Sequence, residues 1–117
     1  MKKDGEIMKA TVKVNAGICG FQTEIRATGD ENQNVVFQVE SGCEKIRKFA
    51  AALSAKGPVD GYGEIGTGAD GVILTTARES LKGCCAGCAV PVGIFKAMQV
   101  AAGVALPKDV IININGE

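Results

Sequence analysis

The sequence predicts an α+β fold: a largely antiparallel four-stranded sheet with three helices packed on one face, in the order β-β-β-α-α-α-β. Three observations carry this. Apolar and polar residues alternate with period 2 through most of the first forty positions. From Ser41 to Ala102 apolar residues recur at helical spacing, broken by glycine and proline. Near the end the alternation returns. Residues 8–117 read as one domain and residues 1–7 as a frayed terminus.

The elements follow in order. Ala10, Val12 and Val14 alternate with Thr11 and Lys13, which predicts a strand with one buried face. Asn15 to Gly20 interrupts it, with glycines near Cys19 on both sides. Phe21, Thr23, Ile25 and Ala27 form the next apolar set, and Cys19 shares their parity, so an extended backbone would turn its sulfur inward. Gly29 to Asn34 is turn chemistry. Val35, Phe37 and Val39 make a third strand. Ser41 followed by Glu44 has capping-box spacing and predicts a helix start that places Cys43 in the first turn. Ile46, Phe49, Ala50 and Leu53 form the inner stripe of that helix, Lys45, Arg47 and Lys48 its solvated face, and Gly57-Pro58 its stop.

Residues 57–71 hold six glycines and predict a mobile loop, or one pressed closely onto something, and a candidate lid over the cysteines. A second helix runs from about Asp70 to Lys82 with Ile73, Leu74, Ala77 and Leu81 inward. Pro91 suits the first position of a third helix, to about Ala102. Within it only Lys96 and Gln99 are polar, which predicts burial or a homodimer face. Val110, Ile112 and Ile114 predict a closing strand.

Composition excludes several classes of function. The chain has 117 residues, 13 basic and 13 acidic, so no net field draws it to nucleic acid or an anionic membrane. One Tyr and no Trp leave no stacking platform for bases. No stretch reads as a secretory signal or membrane span, and the expected location is the cytoplasm, where thiols stay reduced. Histidine is absent, which removes Ser-His-Asp and Cys-His catalysis and mixed Cys/His zinc sites. Nothing points to a stand-alone enzyme. Gly61 to Gly66 matches G-x-G-x-x-G, but a helix and Gly57-Pro58 precede it where the dinucleotide motif needs a strand, so no nucleotide is expected.

The five cysteines remain. Cys84, Cys85 and Cys88 lie in one stretch that ends at Pro91; Cys19 and Cys43 lie at earlier junctions. Cys43 and Cys88 sit at helix starts, where free N–H groups stabilise a thiolate, the form that ligates metal or attacks sulfur. In one reading Cys19, Cys43, Cys85 and Cys88 ligate a metal, with Cys84 as the alternative fourth ligand. All-thiolate ligation then suits an iron–sulfur cluster or zinc. In a second, Cys88 is the thiol of a sulfur carrier or redox protein with a protein partner, and Cys84 or Cys85 resolves it. In a third, the thiols are inert small hydrophobes and the chain is a non-catalytic dimeric interaction module.

Asn15-Ala16-Gly17-Ile18-Cys19-Gly20-Phe21, the Ser41-Gly42-Cys43 helix start, and the run from Cys88 through Pro91-Val92-Gly93-Ile94 to Ala101–Val110 resemble a small family of uncharacterised proteins from anaerobic bacteria and methanogenic archaea. The resemblance covers nearly the whole chain from Met8 and carries no established activity. It implies that Cys19, Cys43 and Cys88 belong to a shared pattern. In that pattern a proline often follows the last cysteine, where this chain has Ala89. An anaerobic source would favour an oxygen-sensitive cluster over a plain disulfide.

Overall fold

The computed structural model describes residues 8–84 and 87–117. Three strands form an up-and-down antiparallel meander: β1 (Met8–Asn15), β2 (Gln22–Gly29) and β3 (Asn34–Ser41). Val12 faces Ile25, which faces Val39, and Ala27 sits between Ala10 and Phe37, so the alternating apolar sets fall on one side of the sheet. The other side carries Lys9, Thr11, Lys13, Arg26, Gln38 and Glu40, all exposed.

Helix α1 (Glu44–Ala55) packs along β3 with Ile46, Phe49 and Leu53 buried. Helix α4 (Val90–Ala101) lies over β1 and β2 and buries Val90, Pro91, Gly93, Ile94, Ala97, Met98 and Ala101. Pro91 stands in its first turn, where no N–H is missed. The apolar character of this helix is thus largely taken up within the chain. Its contact with the sheet is close at both ends. A Cβ on Gly93 would lie 2.7 Å from Val14 Cγ2, and one on Gly29 would lie 2.0 Å from the Ala101 carbonyl oxygen.

Two expectations fail here. The fourth strand is β4 (Val59–Asp60), which pairs with Asn34 and Val35; residues 110–114 form no strand, and Val110, Ile111, Ile112 and Ile114 are exposed. Alternation makes a segment able to pair, but among the described residues no strand pairs with it. There are also four helices rather than three. The glycine-rich segment folds into α2 (Gly61–Thr67) and a 3₁₀ turn (Gly68–Asp70) before α3 (Val72–Ser80).

The reason is Glu64. Its carboxylate is 4% exposed and accepts from the backbone N–H of Val72 at 2.8 Å and of Ile73 at 2.7 Å. It therefore supplies acceptors for the free N–H groups that open α3, at the positive end of that helix. Gly71 leaves room for it, since a Cβ there would lie 2.7 Å from Glu64 Oε2. Asp60 caps α2 by accepting from Tyr62 N–H. The glycines serve close packing rather than mobility. Gly61 abuts Ala102 and Gln33, at the end of the sheet where β2 turns into β3. The segment is therefore no lid over the cysteines, which lie at the other end.

Gly29→Ala should lower stability by roughly 1–3 kcal/mol, the usual range for overpacking a filled core, seen as a fall in thermal midpoint with the circular dichroism spectrum retained. Glu64→Ala should cost about 2 kcal/mol by leaving two buried donors without their acceptor, and hydrogen exchange should quicken first at Val72 and Ile73.

Candidate functional site

Three junctions meet at one end of the sheet: the β1–β2 turn, the β3–α1 link and the loop between α3 and α4. The β1–β2 turn is tight. Gly20 N–H donates to Gly17 O at 2.9 Å, and both glycines have positive φ, +86° and +76° for Gly17 and Gly20. The turn takes Cys19 out of the strand pattern, and its side chain is exposed rather than inward. Phe21 beside it folds over Gly42, with ring carbon Cδ1 3.1 Å from where a Cβ would stand. Gly42 N–H also donates to Gln22 O at 3.3 Å. The turn carrying Cys19 is thereby seated on the link carrying Cys43.

The capping box does not form. Ser41 is still in β3, its hydroxyl 2.8 Å from Thr23 Oγ1 and accepting from Cys43 N–H at 3.1 Å. Cys43 is itself the N-cap of α1, and its side chain makes no capping hydrogen bond. The thiol is half-buried and packs against the core. Arg47 reaches back to the Ser41 carbonyl at 2.9 Å and closes the link.

After α3, Cys84 N–H donates to Leu81 O at 2.9 Å, with Gly83 between them at φ +90°. Lys45, read from sequence as ordinary helix surface, reaches across from the first turn of α1. Its ammonium donates to Lys82 O at 3.3 Å and to Cys84 Sγ at 3.4 Å. No motif marks Lys45; the one signal in the sequence was its place two residues after Cys43. Cys84 is exposed. Cys85 lies outside the described residues.

Cys88 is two residues before α4 and half-buried against the core. Burial pushes its thiol above the ordinary value of 9.0. A hydrogen bond from the Val90 backbone, the helix-start effect expected from sequence, pulls the other way and is outweighed. Like-charge repulsion from Cys43, then Cys19, then Cys84 adds to the rise. The expectation of a thiolate favoured at this helix start is thus reversed, because desolvation dominates the dipole.

The same repulsion locates the site. The four described cysteines are all free and stand within electrostatic reach of Cys88. They share one end of the molecule without closing on a point: among the described residues, no three His, Cys, Asp or Glu side chains are placed to hold one metal ion. What the arrangement offers is a set of soft donors on three separately anchored segments.

The folded-state value of Cys88 lies above the unfolded one, so the folded protein holds this proton more tightly. That contribution to stability is whole below the unfolded thiol's range and is lost as pH rises through the folded value. Thermal midpoints of the parent should therefore fall more steeply above about pH 9 than those of Cys88→Ala. Alkylation followed by mass spectrometry should show Cys88 modified more slowly than Cys19 and Cys84, with its midpoint at higher pH.

Among the described residues no helix is long and apolar enough to cross a membrane. No curated protein and no solved structure shows significant similarity to the chain. Residues 10–114 match a family of unknown function, DUF6951, and that match spans the meander, all four helices and every cysteine, so the chain belongs to this family.

Proposed function

We propose that this protein binds a soft metal centre, an iron–sulfur cluster or zinc, through Cys19, Cys43, Cys88 and one of Cys84 and Cys85, in a carrier, sensor or accessory role. One observation carries the reading: free thiols from three separately anchored junctions stand at one end of the sheet. Soft thiol donors brought from distant segments are the ligand type that zinc and iron–sulfur clusters take, and a bound cation lets their protons go. Sulfurs around a zinc ion at 2.3 Å stand about 3.8 Å from one another, so loading draws the segments together. The Cys19 turn is the exposed arm, Cys43 stands at the start of α1, and Cys84 and Cys88 lie between α3 and α4.

A second reading, a thiol redox or sulfur-transfer protein, is favoured by the Lys45–Cys84 contact. It puts a cation and donor on an exposed sulfur and makes Cys84, rather than the buried Cys88, the thiol that meets a partner protein.

Anaerobic purification and reconstitution with iron and sulfide, or with zinc, separates the two. Metal binding should appear by elemental analysis, with absorbance near about 400 nm for a cluster. Apparent affinity should rise about tenfold per pH unit for each thiol proton displaced below the thiol range. Cys19→Ser, Cys43→Ser and Cys88→Ser should each weaken it by more than about tenfold. A chain that stays metal-free while Cys84 alone forms mixed disulfides would move the assignment to the redox reading.

A further inference from the structure

The segment after α4 is an unpaired strand in search of an edge. From Lys108 to Ile114 the backbone has no regular structure, and among the described residues it makes no backbone hydrogen bond. Its apolar side chains are left in water: Ile112 is 70% exposed and Ile114 88%. The molecule measures 49 × 28 × 24 Å, whereas an eight-residue strand spans only about 27 Å, so this segment projects from the body. It is no stray addition, because the family match runs to residue 114.

The same chain carries an unpaired edge. β4 covers β3 only at Asn34 and Val35, and Arg47 takes the Ser41 carbonyl, which among the described residues leaves the outer edge of Val36–Glu40 open. Beside it runs a groove of about 150 Å³ between β3 and α1, lined by Val36, Phe37, Val39, Ala50, Leu53 and Pro58. The open stretch, Val36–Glu40, is long enough to pair most of Asp109–Ile114. The other free edge, β1, carries exposed Lys9 and Lys13, charges of the kind that keep an edge from pairing. Within one chain, β4 and Pro58 stand at the end of β3 nearest the close of α4, where β4 already pairs with β3.

We infer that Asp109–Ile114 adds as a strand to the open edge of β3 in a second copy of this chain, with alternate side chains entering the groove beside α1. The exchange is reciprocal, so both tails and both β3 edges are used within one two-fold dimer. This dimer does not use α4 as its face and does not depend on the thiols.

The test uses the full chain and substitutions at side chains that touch nothing in the monomer. Sedimentation equilibrium should show a dimer. Ile112→Asp combined with Ile114→Asp should weaken it at least about a hundredfold, the scale of unburying two isoleucines on each tail. Ser54→Arg, at the exposed lip of the groove, should weaken it from the other side. Hydrogen exchange should show the outward-facing amides of Phe37 and Val39 protected in the parent and released in the double variant. A monomer at every concentration, a dimer indifferent to the tail substitutions, or protection that moves to Met8–Asn15 instead would overturn the assignment.

Discussion

Helix α4 lies against the β1–β2 pair with glycine at both ends of the contact, and the position of almost everything else follows from that seating. At one end the Ala101 carbonyl occupies the place a side chain on Gly29 would need; at the other, Gly93 admits Val14, Val12 and Ile25. A helix held at two points cannot slide along the sheet or roll on it. Ile94, Ala97 and Met98 are then fully buried between those points. The start of α4, and Cys88 just before it, inherit a fixed height above the turn that carries Cys19. Larger residues at either glycine would lift the helix and open the space that now desolvates the Cys88 thiol.

A second anchor acts from the far end. Glu64 has its carboxylate buried and bonded to the first N–H groups of α3. Lys56 reinforces this helix from the side, donating to Thr76 at 2.8 Å and pairing with Glu79. The opposite terminus of α3 delivers Lys82 and Cys84 to the thiol end, where Lys45 donates to the carbonyl of the first and the sulfur of the second. Position at the site is therefore set by a carboxylate that lies nowhere near it.

The sequence disclosed the parts whose local pattern and tertiary fate agree. The meander, α1 and α4 were legible because each buries one periodic face and its stop signals are glycine or proline. Other parts were not, for separable reasons. Glycines between 57 and 71 suggest mobility when read singly, yet Gly61 and Gly71 are there so that Ala102 and Glu64 can approach. Ser41 and Glu44 have the spacing of a capping box, but Ser41 is engaged by Thr23 and remains in β3. The alternation of Val110, Ile112 and Ile114 is a property of the segment, whereas a strand is a property of a pair. At the site, the sequence puts Cys19, Cys43 and Cys88 in one ligand set, whereas among the described residues no three such side chains close on a point. The outward turn of Cys19, the desolvation of Cys88 and the reach of Lys45 each depend on contacts between segments distant in sequence.

The meander brings together residues that are near neighbours along the chain, while α4 must travel back across the whole domain to reach β1. Contacts of long sequence separation are the slow ones to form. During synthesis, then, Cys19 and Cys43 emerge on a sheet whose apolar side is still bare, and their companion sulfurs arrive with the last helix. A thiol end divided in this way exists only in completely folded molecules.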